Sequence, residues 1–330
     1  MNRGLRRLAL AATFVTFLVI ILGAYVRLSH AGLSCPDWPG CYGHVTWPEA
    51  GHEVTKANEM FPDRAFENHK AWKEMVHRYL AGFLVVLVIA VNILAWKSAH
   101  NQAGHRVFAG AVLAVILFQA ALGMWTVTLK LLPIVVMGHL LGGLTTLALL
   151  FWLSLRAGLQ NWFQPNLSMQ RMRPWIILGL VILVCQITLG GWTSANYAAL
   201  ACPDFPTCQD SFWPQADFAE GFTPSREIGV DYEGGILDLT SRVAIHLAHR
   251  IGAVVTLLTL AAVSLRLMRT TAMPRSGAVL LILVVSQFSL GVFNVIHALP
   301  LPNAVAHNGL AALLLAQLIW LLHRATSRRA

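Results

Sequence analysis

Histidine side chains recur inside the apolar segments of this chain, where an ionisable group costs free energy and therefore suggests a function. Four of the 13 histidines lie in this setting, namely His77, His139, His249 and His307. Two imidazoles that face each other across a helix bundle can hold a haem iron between them. Zinc is less favoured, because no third or fourth ligand lies near these histidines. A packing role explains one such histidine well, but not four at similar depth.

The segment EMVHR at residues 74–78 places a carboxylate beside the first of these histidines. Because Glu74 and His77 are three residues apart, they share one face of a helix. A carboxylate next to a haem-sized site can act as an acid, a base or an electrostatic stabiliser. The alternative is a residue at the start of a helix, favoured there by the helix dipole. Glu74 is therefore the candidate catalytic residue.

A near-copy of this segment, HLAHR at residues 246–250, keeps the His-Arg pair and has a histidine in place of the glutamate. One half of the chain then has the features of a reaction chamber, and the other half those of a permanent cofactor site. Arg78 and Arg250 follow their histidines near the outer surface. They are candidate partners of haem propionates, unless they only extend to the membrane interface.

The composition requires membrane helices to carry these residues. The chain is 56% hydrophobic and 12% charged, whereas about a quarter of the residues of soluble domains are charged. The net charge of +9 forms no basic stripe, which argues against a nucleic-acid partner. A membrane helix needs about 20 residues to cross a ~30 Å hydrocarbon core. Eight runs meet this length, at residues 8–28, 73–96, 106–129, 133–155, 174–195, 242–265, 275–297 and 303–323.

The distribution of charge predicts the orientation of these eight spans. With a cytoplasmic N-terminus, 14 of the 24 Lys and Arg residues lie in the inner segments. All 15 Asp and Glu residues lie in two long outer segments, 30–74 and 201–238. The basic residues follow the positive-inside rule. We therefore expect a multi-pass protein of the inner (plasma) membrane, with both termini in the cytoplasm and the cysteine-containing loops outside.

An internal repeat divides the chain into two halves. Residues 23–41 read GAYVRLSHAGLSCPDWPGC, and residues 190–208 read GGWTSANYAALACPDFPTC. Each half contributes four spans, so the halves are expected to be parallel repeats. The predicted fold is an all-α polytopic membrane protein with two pseudosymmetric four-helix bundles. The bundles would comprise residues 1–155 and 174–330, joined by a cytoplasmic linker at 156–173.

Four of the five cysteines form two matched pairs in the outer loops, Cys35/Cys41 and Cys202/Cys208. The compartment is oxidising, so disulfides are plausible there. A four-cysteine zinc site shared by both loops is the alternative, and a redox role is open for either pair if its disulfide is exposed. The fifth cysteine, Cys185, lies inside a span and is expected to be inert core.

These motifs together resemble those of the haem A synthase family, over nearly the whole chain. The resemblance is carried by the loop sequence at 23–41, by the 74–78 segment, and by the segments around His139, His249 and His307. It implies an enzyme of two pseudosymmetric bundles. That enzyme would be an oxidoreductase that converts a ring methyl group of haem O to a formyl group, giving haem A for terminal oxidases.

The resemblance also implies roles for individual residues. The N-terminal half would receive haem O between His77 and His139, with Glu74 taking part in catalysis. The C-terminal half would hold haem b as cofactor. Its iron ligands would be His249 and His307. The family pattern further implies a disulfide at Cys35–Cys41, whereas a Cys202–Cys208 disulfide is not found in every member.

Two other functional classes fit parts of the sequence. A di-haem b electron carrier linked to quinone would use the same histidines, but it leaves Glu74 and the cysteine loops unexplained. A transporter of parallel repeats would need polar groups near mid-membrane, where the spans have few. For the synthase, the expected partners are haem O, the lipid bilayer, and as further candidates the haem O synthase, assembly factors of terminal oxidases and a homo-oligomer.

Overall fold

The computed structural model describes residues 3–97, 103–158, 167–270 and 273–326. This part of the chain is helical, with no strand and with two isolated β-bridges. Eight of its helices are long and apolar enough to cross a membrane, which confirms the predicted number of spans. The helices are α1 (Arg3–Leu28), α2 (Gly51–Met60), α3 (Asn68–Lys97), α4 (Ala103–Thr128), α5 (Pro133–Gly158), α6 (Leu167–Ala195), α7 (Phe218–Gly221), α8 (Leu239–Thr270), α9 (Pro274–Ile296) and α10 (Leu301–Thr326).

Most of the spanning helices extend beyond the apolar runs that predict them. The largest extension at a single end is in α6, which begins at Leu167 and has Pro174 inside it. Met169 and Met172 are buried in the core at this end, and their packing stabilises the extra turns. The expected linker at 156–173 is therefore helical at both ends, since α5 also continues to Gly158. Its middle, residues 159–166, lies outside the described residues.

The helices of each half pack in the same order. In the first half α1 contacts α3, α3 contacts α4, α4 contacts α5, and α5 returns to α1. In the second half α6, α8, α9 and α10 close a ring with the same sequence of contacts. Between the rings, α1 contacts α10, while α5 contacts both α6 and α10. The division into bundles 1–155 and 174–330 stays a prediction, but this packing order is what two four-helix repeats would give.

Three polar side chains differ from what the sequence suggests. His105 and His323 lie near helix ends, where we expect solvated side chains, yet their exposed fractions are only 8% and 7%. Cys185 was expected in the core, and it is exposed on α6. For Cys185 the reason is helical phase, because hydropathy within a uniformly apolar helix does not distinguish a lipid-facing side from a protein-facing side.

Both outer loops begin with the same hairpin. In each hairpin an aspartate, Asp37 or Asp204, accepts two backbone N–H groups. A hydrogen bond from Thr207, with these N–H groups, holds the pKa of the Asp204 carboxyl below its usual value, so it is ionised at neutral pH. All four loop cysteines are buried and disulfide-bonded, which leaves no thiolate for a zinc site. The two disulfides are Cys35–Cys41 and Cys202–Cys208.

The outer ends of the two halves are joined by polar contacts. Arg27 donates a hydrogen bond of 2.8 Å to the carbonyl of Ser194, which is 167 residues further along the chain. The same guanidinium lies 4.1 Å from the ring centroid of Tyr197. Nearby, Arg64 of the first outer loop forms ion pairs with two carboxylates of the second loop, those of Asp231 and Glu233. The two loops therefore form one connected layer.

Candidate functional site

Each histidine of the candidate site packs against a glycine on the preceding spanning helix. A Cβ atom built on that glycine would come within about 3 Å of the histidine Cε1, which is closer than side chains normally approach. A side chain at any of these positions would push the imidazole away from the neighbouring backbone. The distances are 2.9 Å for Gly23 and His77, 3.3 Å for Gly123 and His139, 3.1 Å for Gly190 and His249, and 3.2 Å for Gly291 and His307.

The histidines are brought together in two pairs. The imidazole of His77 is close enough to that of His139 for the two to interact electrostatically, and the same holds for His249 and His307. The helices that carry each pair are not neighbours in their ring. α3 lies diagonally across the first ring from α5, and α8 across the second ring from α10. Each pair therefore faces across the centre of a ring, as ligands on two sides of a planar group would.

The residues present fit haem as the bound group. Two half-buried imidazoles that face each other provide a ligand pair suited to haem iron, and the glycines leave room for the rings beside the backbone. Nδ1 of His77, of His139 and of His307 is buried and makes no hydrogen bond within the described part of the chain. Buried polar groups without partners are uncommon and call for a functional explanation.

Glu74 lies one turn before His77 and is held by the first outer loop. Its exposed fraction is 4%. Its Oε2 accepts hydrogen bonds from the Ser34 hydroxyl at 2.9 Å and from the Cys35 backbone N–H at 3.0 Å. Its Oε1 pairs with the guanidinium of Arg78. Because these donors come from the disulfide hairpin and from α3, the orientation of the carboxylate depends on the position of the hairpin.

Arg78 and Arg250, which follow His77 and His249 in the sequence, donate hydrogen bonds to the two hairpins. Arg78 donates to backbone carbonyls of the first hairpin, among them that of Asp37 at 2.9 Å. Arg250 donates to the carbonyls of Cys202 and Asp204, both at 2.8 Å, and to that of Thr207. Pairing of these arginines with a haem propionate stays a prediction. It would require N–H groups that now donate to loop carbonyls to donate to the propionate as well.

The corresponding position in the second half has a different environment. His246 replaces the glutamate, and its Nε2 accepts a hydrogen bond from Nε of Arg250 at 3.3 Å. Ser34 corresponds to Ala201 in the repeat, so no hydroxyl faces this histidine from that position. The second half thus has the two paired histidines without a buried carboxylate beside them.

Sequence reasoning missed the residues that support the histidines and Glu74. Ser34 was not singled out, because its partner is 40 residues away. The glutamines Gln119, Gln186 and Gln287 are among the few polar groups within the spans. A signal was present, since each glutamine lies four positions before one of the glycines that contact a histidine. That spacing puts the glutamine and the glycine on the same helix face.

Comparison with known proteins gives relatives over the full length of the chain. The COX15-CtaA family model, described as cytochrome oxidase assembly protein, matches residues 6–319. A protein of Shewanella oneidensis named Heme A synthase is 46% identical over 316 residues, which cover 94% of this chain and 95% of that protein. Proteins of the same name are 27% identical in Sphingopyxis alaskensis and 26% identical in Rhizorhabdus wittichii. Their matches cover 99% and 95% of this chain, and 93% and 92% of those proteins.

Proposed function

This chain belongs to the COX15-CtaA family and functions as a haem A synthase, and on that premise we propose that it oxidises a ring methyl group of haem O to a formyl group. The observation that carries the proposal is the pair of histidine sites, of which only one has a buried carboxylate beside it. A permanent electron carrier would have no need for this difference between its two sites.

The N-terminal bundle is proposed to receive haem O. His77 and His139 face each other across the ring, and Glu74 lies one helical turn from His77 on the same face. A substrate held between the two imidazoles would therefore bring part of its macrocycle next to the carboxylate. Exposed apolar side chains on the spanning helices, such as Phe83, provide a lipid-facing surface from which a prenylated haem can approach.

The C-terminal bundle is proposed to hold haem b through His249 and His307. No carboxylate competes at the position of His246, so this site is suited to binding and electron transfer rather than to proton transfer at a substrate. When bound, haem iron supplies redox chemistry that side chains lack. The protein then contributes the ligands, the buried surroundings and the separation of two sites in one membrane.

Glu74 is proposed to hold or move a proton at the carbon that is oxidised. The carboxylate is fixed by donors on both oxygens, from Ser34 and Cys35 on one side and from Arg78 on the other. These hydrogen bonds keep the Glu74 side chain in one rotamer, so its carboxylate oxygens have a fixed position. A general acid or base requires such a fixed position. The short chain of contacts from the Cys35 hairpin to the carboxylate also gives that disulfide a role in positioning.

Pigment analysis of the purified protein tests the function. Cells that also make haem O are expected to yield haem b together with haem O or haem A in the wild-type protein. In His77→Ala the haem b should remain, while haem O and haem A should fall to background. Haem b alone in the wild type, with haem O supplied, would overturn the proposal and favour an electron carrier.

The two disulfides provide a matched test of the role of the first hairpin. Both close loops of the same length, with a sequence separation of 6, so Cys35→Ser and Cys208→Ser are expected to cost similar stability, about 2 kcal/mol. Only Cys35 has a backbone N–H bonded to Glu74. We therefore expect Cys35→Ser to lower haem A formation more than Cys208→Ser. Equal losses, measured per molecule of folded protein, would contradict this assignment.

The proposed location follows the charge distribution. Helices this apolar place the chain in a membrane as a multi-pass protein. We place both termini in the cytoplasm and the two disulfide hairpins outside, which is the compartment where disulfides form and persist. The haem O synthase and assembly factors of terminal oxidases are the proposed partners.

A further inference from the structure

A glutamine precedes three of the four glycines that contact the histidines. The spacing is Gln-x-x-x-Gly in each case, so the glutamine lies one turn away on the same face. The first helix has Val19 at this position, four residues before Gly23. The three complete sets are Gln119, Gly123 and His139; Gln186, Gly190 and His249; and Gln287, Gly291 and His307.

Two of these glutamines hydrogen-bond the histidine of their own set. Gln119 Nε2 donates to the backbone carbonyl of His139 at 2.9 Å. Gln186 Nε2 donates to the carbonyl of His249 at 3.1 Å and lies 3.0 Å from Nδ1 of the same histidine. In the third set, the imidazole of His307 faces the backbone of Gln287. The imidazole of His139 likewise faces the backbone of Gln119, so Gln186 is the glutamine of the three whose amide lies beside the ring of its histidine.

Glycines on the histidine helices make space for two of the amides. Gly142 and Gly252 each follow their histidine by three residues. A Cβ at Gly142 would lie 2.0 Å from Gln119 Nε2, and a Cβ at Gly252 would lie 2.2 Å from Gln186 Oε1. No larger residue fits while the amide is there. The recurrence of this arrangement in both halves indicates that the contact between glutamine and histidine is a feature of the site.

The unpaired atoms in these sets are complementary. Oε1 of Gln119, of Gln186 and of Gln287 is buried without a hydrogen bond in the described part of the chain. A histidine that binds iron through Nε2 carries a proton on Nδ1 and needs an acceptor for it. At His249, a half-turn of the Gln186 amide turns Oε1 toward that proton, and the bond from Nε2 to the His249 carbonyl is given up in exchange.

On the basis of the proposed function, we infer that Gln186 is a positioning residue that holds the Nδ1–H of the haem ligand His249. The glutamine then fixes the ring orientation and leaves Nε2 free for iron. In the first half, Val19 takes the position that is equivalent to Gln186 in the repeat, so His77 has no such partner. His77 is therefore held less firmly than its counterpart His249.

This difference has a functional consequence for the two sites. Acceptors on the outer side of a ligating histidine strengthen metal binding about 10- to 100-fold. The C-terminal site has a glutamine amide beside Nδ1 of His249, which suits a cofactor that stays bound. The N-terminal site has Val19 at the equivalent position, which suits a haem that must leave after each turnover. The site with Glu74 and the site with the weaker ligand are the same.

The test compares variants of Gln186 in the purified full-length protein. In Gln186→Leu, we expect haem b to transfer to apomyoglobin about 10 to 100 times faster than in the wild type. The midpoint potential of haem b should rise, because the imidazole loses electron density that stabilises ferric iron. Gln186→Glu should restore tight binding and lower the potential below that of the wild type. Thr188→Val is the control, since Thr188 is half-buried on the same helix and its hydroxyl bonds only the backbone carbonyl of Val184.

The outcomes separate this inference from the proposed function. A wild-type protein without haem b would overturn the proposed function. Haem b in the wild type, with unchanged potential and release rate in both Gln186 variants, would overturn the inference alone. A second test adds a glutamine at Val19 in the N-terminal half instead of removing one from the C-terminal half. Val19→Gln should slow the release of haem O from the N-terminal site, whereas Val19→Leu should not, and equal rates in the two variants would contradict the weaker hold on His77.

Discussion

Replacing Glu74 with glutamine is expected to leave haem b bound and to reduce haem A formation about 100- to 10,000-fold, the usual contribution of a general acid or base. The amide has the shape of the carboxylate and can still accept the hydrogen bonds from Ser34 and Cys35. It cannot take up and release a proton as the carboxylate does. The loss should therefore appear in the chemical step. The measurement is the ratio of haem A to haem O extracted from the purified protein.

Controls for this variant exclude a purely structural effect. Arg78 keeps its contacts with the hairpin carbonyls when the charge of Glu74 is removed, so the loop should remain in place. Glu67→Gln changes an exposed carboxylate near the start of α3, which pairs only with nearby side chains, and should leave product formation unchanged. Normal haem A formation by Glu74→Gln would show that this residue only begins a helix. A normal haem O content without product is the result we expect.

Replacing His249 or His307 with alanine is expected to remove haem b from the protein. Loss of an acceptor on the outer side of a ligand already costs about 10- to 100-fold in affinity, and loss of the ligand itself should cost more. The absorption bands of low-spin haem b should disappear from either variant, while haem O bound between His77 and His139 should persist. Synthesis of haem A should stop as well if the C-terminal haem provides the electron path.

A histidine outside the site, His297, provides the control for these two substitutions. His297 is exposed at the end of α9 and stacks against Phe293 at a centroid distance of 4.0 Å. His297→Ala should retain the full haem b spectrum. Full retention of haem b in both His249→Ala and His307→Ala would refute the C-terminal site, and loss from only one of them would mean that a single imidazole suffices.

The spans and the histidine pairs could be predicted because both depend on simple periodic properties. A hydrocarbon core requires long apolar helices, and an internal repeat requires equivalent residues at equivalent depth. The start of α6 at Leu167 could not be predicted from the length of an apolar run or from the repeat. It depends on the burial of Met169 and Met172 against other helices, which outweighs the usual effect of Pro174.

The support around the site was harder to predict for a different reason. The bond from Ser34 to Glu74, and the bonds from Arg78 to the hairpin, join segments that are far apart in sequence. Their partners are backbone and side-chain groups whose positions depend on the folded loop. The glutamines could have been found, because Gln-x-x-x-Gly recurs opposite His139, His249 and His307. That signal becomes visible only when the four glycines are compared as a set.

The contact between Arg27 and Ser194 has a consequence for how such a chain could have arisen from a shorter one. The two residues are equivalent in the repeat and meet each other, as residues beside a two-fold axis that relates the halves would. In a dimer of two identical four-helix subunits, every residue at such an axis would face its own copy. Two copies of Arg27 would then bring like charges together in a partly buried setting. Fusion into a single chain removes this constraint, since one position can keep the guanidinium while the other becomes a small neutral residue whose backbone carbonyl accepts its hydrogen bond.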